Sequence, residues 1–425
     1  MPTPALLDEL AWRGLLQDQT PGLAARLARG PITGYAGFDP TAPSLQVGNL
    51  VPVMLLAHLQ RAGGTPIVVL GGGTGLIGDP SGKSTERPLL DAAQVAANVD
   101  TQRAQLGRFL RFGSGPADAT MVNNADWLGP LALVEFLRDV GKHFTIGYML
   151  QKDSVKSRLD AGISYTEFSY MLLQAYDFRE LRRRHHCELQ VGGSDQWGNI
   201  TAGIELIRRA DGVEAHGLVA PMVTTATGAK FGKSEGNAVW LDARLTSPYQ
   251  FFQYWINVDD RDVDRYLRMF TFRDHDAIAA LLADHAREPG ARTPHRALAG
   301  DLTALVHGEA AAAGAAEASR ILFGDLEPAR ARADTWRLLA AELPNSALPP
   351  DMTPETAVLE LVAATTLVKS RGDARRQLVQ GGIALNGRRV GESEAAGAPL
   401  AGGFYLVQRG KKASFLFTPL TPPAG

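Results

Sequence analysis

Cysteine is almost absent. Cys187 stands alone among 425 residues, which rules out an internal disulfide framework and any zinc site built on cysteines. Long apolar runs are missing too: no stretch could cross a bilayer, and the amino terminus lacks the basic start and apolar core of a signal peptide. No membrane association is expected, and a cytoplasmic location is. Net charge is also scarce, since 43 basic and 45 acidic residues leave a formal −2. Affinity for nucleic acid must therefore come from a local patch. What is present is 45% hydrophobic and 21% charged residues, the balance of a globular protein. The chain is too long for one ordinary core, so two or three domains are expected.

Apolar spacing from about Leu6 to Leu27 predicts a helix that runs up to the breaker Gly30-Pro31. A strand follows over residues 32–38 and leads into Asp39-Pro40-Thr41, then a helix from near Val47 to Leu59 with Pro52 in its first turn. The run Thr65-Pro66-Ile67-Val68-Val69-Leu70 reads as a strand buried on both faces, ending in a glycine-rich loop over residues 71–82. Another strand, residues 188–191, enters Gly192-Gly193-Ser194-Asp195-Gln196. Strand, glycine loop and helix in succession predict an α/β fold with a parallel sheet and ligands at the carboxyl ends of its strands. Residues 247–341 are mostly helical by pattern, and the proline-bearing stretch 343–351 reads as a linker.

The tail is different in charge. Residues 361–425 hold nine basic and three acidic side chains, a net of +6, and a phosphate backbone is the ligand such a patch fits best. Thr366 to Leu378 reads as a turn entering a basic helix, and residues 381–390 as strand, Asn386-Gly387 hairpin turn, strand. Lys369, Arg371, Arg375, Arg376, Arg388, Arg389, Lys411 and Lys412 are the candidate RNA contacts. Few aromatics are interleaved, which favours backbone and shape recognition of structured RNA over base stacking. A charged solubilising appendage is the plainer alternative.

Two motifs suggest polyphosphate chemistry. Gly78-Asp79-Pro80-Ser81-Gly82-Lys83-Ser84 looks like a P-loop but fails its spacing, with three residues where four must separate the glycines. Lys230-Phe231-Gly232-Lys233-Ser234 places two cations on a glycine-containing loop, suited to a departing polyphosphate. Arg182-Arg183-Arg184-His185-His186-Cys187 reads as a basic helix end, because adjacent residues diverge and no second ligand pair is visible. No protein-bound metal site is expected.

Residues 38–50, from Phe38-Asp39-Pro40-Thr41 to Val47-Gly48-Asn49-Leu50, resemble the first signature of class I aminoacyl-tRNA synthetases, and the Lys230 loop resembles the second. Residues 77–83, 170–178 and 192–199 are similar to blocks of the bacterial tyrosyl-tRNA synthetases, in family order, and the tail resembles the S4-type RNA-binding domain that follows there. One departure stands out: Gln46 and Asn49 occupy the two histidine positions of the first signature. A side-chain amide still donates hydrogen bonds but cannot become cationic. A catalytically weak, RNA-binding relative and a tryptophan-activating enzyme are the rival readings.

The resemblance implies a Rossmann-like catalytic domain at 1–245, a helical domain at 246–342, a linker at 343–354 and an S4-like α+β domain at 355–425. It implies that L-tyrosine is joined to ATP, accompanied by Mg2+, and then to tRNA(Tyr), by a homodimer. Lys83, Arg87, Lys230 and Lys233, with Thr41 and Gln46, are the expected catalytic residues. Tyrosine falls to Tyr35, Asp79, Tyr170, Gln174, Asp177 and Gln196, with Tyr35 and Asp177 on the phenol. ATP falls to Asp39, Gly48, Asn49, Gly193, Asp195, Lys230, Lys233 and Ser234. Tyr170, Gln174 and Asp177 recur at i, i+4 and i+7, one face of one helix.

Overall fold

The structure is a computed structural model that describes residues 5–81, 90–156, 158–159, 162–228, 231–234, 237–324, 326–410 and 413–420. Lys83, Arg87, Lys230, Lys411 and Lys412 lie outside the described residues. The chain divides into two compact units, Met1–Thr246 with Val258–Leu298 and Ser247–Asn257 with Ala299–Gly425. Among the described residues no helix is long and apolar enough to cross a membrane.

The first unit is built on a six-stranded sheet. Its strands are β1 (Asp18–Gln19), β2 (Thr33–Phe38), β3 (Thr65–Leu70), β4 (Thr120–Asn123), β5 (Leu189–Gly193) and β6 (His216–Ala220). Their order across the sheet is β1-β6-β5-β2-β3-β4. All pairs are parallel except β1 with β6. β3 is buried along its length after Thr65, as its unbroken apolar run predicts. From β2 the chain moves outward on one side through β3 and β4, then returns to build β5 and β6 on the other. That reversal leaves a crevice beyond the carboxyl ends of β2 and β5, where ligands bind in open α/β sheets.

The expected helix over Leu6–Leu27 is not continuous. It forms two short helices, Leu6–Trp12 and Leu23–Leu27, with β1 between them. Gly14 at φ +70° and Gly22 at φ +86° turn the chain, and the segment between pairs with β6 at the sheet edge, so sheet pairing overrides the apolar spacing. The helix after the first signature runs Leu50–Arg61, preceded by a tighter turn at Val47–Asn49, and Pro52 sits in its first turn. A 21-residue helix, Tyr165–His185, starts where the Ser164 hydroxyl accepts the Glu167 N–H. Glu167 also forms a fully buried, two-bond ion pair with Arg158, at 2.9 and 3.2 Å.

In the second unit, Pro248–Ile256, Glu309–Phe323 and Ala333–Glu342 pack Tyr249, Ile321, Trp336 and Leu339 with Leu406 and Leu416. The last two come from a five-stranded sheet ordered Arg388–Arg389, Ile383–Leu385, Tyr405–Arg409, Ala413–Thr418, Asn345–Ala347. The basic helix spans Arg371–Val379 and is capped by Ser370. Asn386 and Gly387 take φ +50° and +84°, the paired positive angles of a tight hairpin turn. Within the stretch read as a linker, Asn345–Ala347 adds a parallel strand at the edge of this sheet, flanked by prolines that would not fit a central strand.

Candidate active site

The carboxyl ends of β2, β3, β4 and β5 carry the polar residues of the first unit. Asp39 follows β2, Thr74 and Asp79 follow β3, Asn124 follows β4, and Asp195 and Gln196 follow β5. The helix Tyr165–His185 lays Tyr170, Gln174 and Asp177 against them through two hydrogen-bond networks.

The first network is centred on Asp39. Its two carboxylate oxygens accept from the Tyr170 hydroxyl and the Thr74 hydroxyl, each at 2.7 Å. Asn124 donates to both Thr74 Oγ1 and Asp177 Oδ2 at 2.9 Å, and the Trp127 indole donates to Asp177 Oδ1 at 2.7 Å. Asp177 is buried at 4% exposure. Burial pushes its carboxyl up to about 7 against the pull of those two donors. Tyr35 lies 1% exposed, its ring 5.2 Å from that of Phe178. Burial first, then the neighbouring Asp177 charge, holds its phenol neutral well above the ordinary range. Its hydroxyl has no hydrogen-bond partner among the described residues.

The second network surrounds Asp79. Gln196 Nε2 donates to Asp79 Oδ2 at 2.7 Å. Asn199 Nδ2 lies within 3.1–3.4 Å of Asp79, Ser81, Gln174 and Gln196 oxygens. An amide has only two N–H donors, so Asn199 is a shared hub whose bonds can be redistributed. Asp79, Gln174 and Gln196, expected on one ligand, are indeed brought together, whereas Tyr170 bonds to Asp39, which had been expected at ATP.

The two signatures also meet. Val47 N–H donates to Val239 O at 3.0 Å, Leu241 N–H to Leu45 O at 2.9 Å, and Val239 N–H back to Gly232 O at 3.0 Å. Gly232 has φ +77°, and a Cβ there would stand 3.4 Å from Gly48 N. Phe231 is buried and stacked on Phe270, with centroids 5.3 Å apart and planes 4° apart, and leans on Tyr266. Lys233, next in the chain to Gly232, is exposed, and Gly48 is exposed with open space above its Cα. Asn49 Oδ1 accepts the Gln46 N–H at 2.8 Å, which leaves the Asn49 NH2 group as the donor. Thr41 and Gln46 are half-buried in the same segment. A Cβ on Gly193 would lie 2.5 Å from Asp195 Oδ1, so only glycine lets that carboxylate fold over the strand end.

Asn124, Trp127, Thr74 and Asn199 had not been singled out individually. Asn199 lay inside a recognised block, while Asn124 and Trp127 follow a short strand that carries no local signature. Cys187 is buried, its thiol raised above the usual range by burial. In the second unit, Arg371, Arg375, Arg376 and Arg388 are exposed but paired with Glu360, Glu392, Asp373 and Glu394. Arg389 and Lys369 are exposed with no ion pair among the described residues.

The sequence places the chain in a known family. The family described as tRNA synthetases class I (W and Y) matches residues 27–324, and the chain belongs to it. Residues 339–417 match the tyrosine–tRNA ligase SYY-like C-terminal domain. The chain is 56% identical over 410 residues to a tyrosine–tRNA ligase of Anaeromyxobacter dehalogenans, covering 96% of this chain and 97% of that one. It is 53% identical over 385 residues to a tyrosine–tRNA ligase of Roseiflexus castenholzii, covering 90% and 91%. Among solved structures it is similar to a truncated mitochondrial tyrosyl-tRNA synthetase of Aspergillus nidulans, with TM-score 0.69 and 32% identity over 76% of this chain and 95% of that one.

Proposed function

We infer that the chain is a tyrosine–tRNA ligase, which activates L-tyrosine with ATP and transfers it to tRNA(Tyr). The observation that carries the choice of amino acid is the buried Tyr35 hydroxyl without a partner, beside an Asp177 carboxylate fixed by Asn124 and Trp127. A buried unpaired hydroxyl costs about 1–3 kcal/mol, and a ligand phenol would relieve it while donating its own proton to Asp177. An indole N–H could donate to Asp177 but would leave Tyr35 without an acceptor, which disfavours tryptophan.

The remaining chemistry follows from charge. The ammonium of tyrosine suits the Asp79, Gln174, Gln196 and Asn199 cluster, where Asp79 supplies the negative charge. Its carboxylate attacks the α-phosphorus of ATP; a P–O bond forms to the carboxylate oxygen, and the bond to the β-phosphate oxygen breaks to release pyrophosphate. No protein nucleophile is needed, so alignment and stabilisation of the leaving group remain. Lys233, which follows the Gly232 that lies close to Gly48, and the Asn49 amide are suited to that leaving group, with Lys83, Arg87 and Lys230 as further cations and Ser234 as a hydroxyl donor. Gln46 and Thr41 complete the phosphate side, while Gly193 and Asp195 suit the ribose. Mg2+ would neutralise the phosphates. A terminal ribose hydroxyl of tRNA then attacks the carbonyl of the adenylate, and AMP leaves.

The same reading takes residues 355–425 as the tRNA-binding part of a cytoplasmic enzyme, with the catalytic domain at 1–245, the helical domain at 246–342, and a connection at 343–354 whose Asn345–Ala347 strand joins the sheet of the tail. It also takes the enzyme as a homodimer. Leu133, Val134, Ile146 and Tyr165 are exposed at 63–75% around the apolar cluster of Phe136, Phe144, Met149 and Met171, an arrangement suited to burial against a second copy. Tyrosine-dependent exchange of pyrophosphate into ATP, run in parallel with phenylalanine and tryptophan, tests the proposal. Exchange with tyrosine alone is expected, and its absence would refute the enzyme.

A further inference from the structure

Away from the strand ends, three helices bring together two histidines and an aspartate of the first unit. Asp260 opens the helix Asp260–Phe270, His285 lies in the last turn of His275–Arg287, and His295 lies in the first turn of Thr293–His307. One ligand atom from each lies within 4.8 Å of the others. His295 Nε2 stands 3.0 Å from Asp260 Oδ1, and His285 Nε2 3.8 Å from Asp260 Oδ2. Around a tetrahedral ion with bonds near 2.0–2.1 Å, neighbouring ligand atoms sit about 3.4 Å apart, so the three ligand atoms, all within 4.8 Å of one another, need only small side-chain shifts to reach it.

The burial of the group points to a ligand. His295 is 0% exposed, yet neither of its ring nitrogens has an aligned hydrogen-bond partner, and His285 Nδ1 lacks one as well. Buried imidazoles are normally bonded, and the His295 ring has beside it only the poorly aligned Asp260 carboxylate at Nε2 and the Val258 backbone. Asp260, more than half exposed, opens the cluster to solvent.

We propose that Asp260, His285 and His295 form a site for one borderline divalent cation such as Zn2+ or Co2+, with water in the fourth position. Two imidazoles and one carboxylate suit such ions and not Mg2+ or Ca2+, which prefer all-oxygen shells. The Arg292 guanidinium, 3.7 Å from Asp260 Oδ1, opposes cation binding and raises the metal concentration needed. The site has a structural meaning for catalysis as well. The helix it would pin at its amino end carries Tyr266 and Phe270, the rings that back Phe231 of the second signature. Its Asp262 also accepts the Ala226 N–H at 2.7 Å. A metal here braces the support of that loop and touches no substrate.

The test uses the full chain stripped with chelator and dialysed at neutral pH. Equilibrium dialysis with ZnCl2, the visible spectrum of added CoCl2, and melting temperature with and without ZnCl2 are the readouts. Wild type should bind one equivalent, show the intense absorption of four-coordinate cobalt, and melt higher with zinc. His285→Gln and Asp260→Asn should each lose more than the ~10–100-fold in affinity that losing a supporting residue costs, while keeping tyrosine-dependent exchange. A control with His185→Gln and His186→Gln should bind as wild type does. Absence of stoichiometric binding overturns the site, as does binding unaffected by His285→Gln and Asp260→Asn, which would be an adventitious ion only.

Discussion

The two units handle charge in opposite ways. At the strand ends, Asp177 is buried and Asp39 half-buried, and each holds two side-chain donors; at the foot of the helix Tyr165–His185, Arg158 and Glu167 bury an ion pair. In the tail, Arg375 and Arg388 stand more than 60% exposed and lean on Glu392 and Glu394. A buried charge is fixed because losing its partner leaves it stranded in a poor dielectric. An exposed pair holds its members loosely. The +6 of residues 361–425 already subtracts their three acids, each engaged by an arginine, and Glu360 just outside the segment engages a fourth. What those arginines can do is exchange a carboxylate for a phosphate.

The largest difference should come from the catalytic cation. Lys233→Ala should slow pyrophosphate exchange by about 10²–10³-fold, as loss of one transition-state donor does, with little change in the KM for tyrosine. If Lys233 compensates for the uncharged amides of the first signature, that loss should shrink in a Gln46→His background; equal losses would remove the idea. Next comes the buried pair: Arg158→Ala should cost about 3–5 kcal/mol, read from urea unfolding.

The phenol pocket comes third. Tyr35→Phe should raise the KM for tyrosine about tenfold, the worth of one hydrogen bond, while leaving the unliganded protein at least as stable, because the hydroxyl has no partner to lose. Asp177 adds a pH dependence. Its folded-state value, about 7, lies above the ordinary carboxyl value, so its contribution to stability falls as pH rises from about 4 to 7. The ionised form is the one that accepts the phenol. The kcat/KM for tyrosine in exchange should thus fall below about pH 7 and lose that limb in Asp177→Asn. The smallest effects belong to the tail. Arg389→Ala should weaken tRNA binding a few-fold and lower its salt slope by about one. Glu394→Gln should change stability by less than ~1 kcal/mol and strengthen tRNA binding if Arg388 is freed for phosphate.

Legibility in the sequence follows the same division. Buried strands such as Thr65–Leu70 declare themselves, since burial on both faces demands an unbroken apolar run. The basic helix and the Asn386-Gly387 turn were also readable, because capping and positive φ restrict residue choice. Thr120–Asn123 was not readable: four residues, partly exposed, carry no period. His216–Ala220 is buried but short and follows a polar loop. The fate of Leu6–Leu27 depended on the edge of a sheet completed by residues 216–220. Among site residues, several expected from the recognised blocks, Asp39 with Tyr170 and Asp79 with Gln196, sit within hydrogen-bond reach of one another at the strand ends. Asn124 and Trp127 were missed because their importance lies in what they hold. The arginine pairing was missed because Arg371 finds Glu360 and Arg375 finds Glu392 only after folding.

The strand order also bears on how the protein is made. β2 carries Tyr35 and leads into Asp39, and its flanks are β3, made soon after it, and β5, made much later. The first signature is hydrogen-bonded through Leu45 and Val47 to residues 239–241. A nascent chain emerging from the ribosome therefore exposes one unpaired edge of its central strand until β5 arrives. Pairing across such separations is slow and leaves edges open to aggregation. Truncated or stalled chains ending before residue 189 should be strong clients for chaperones.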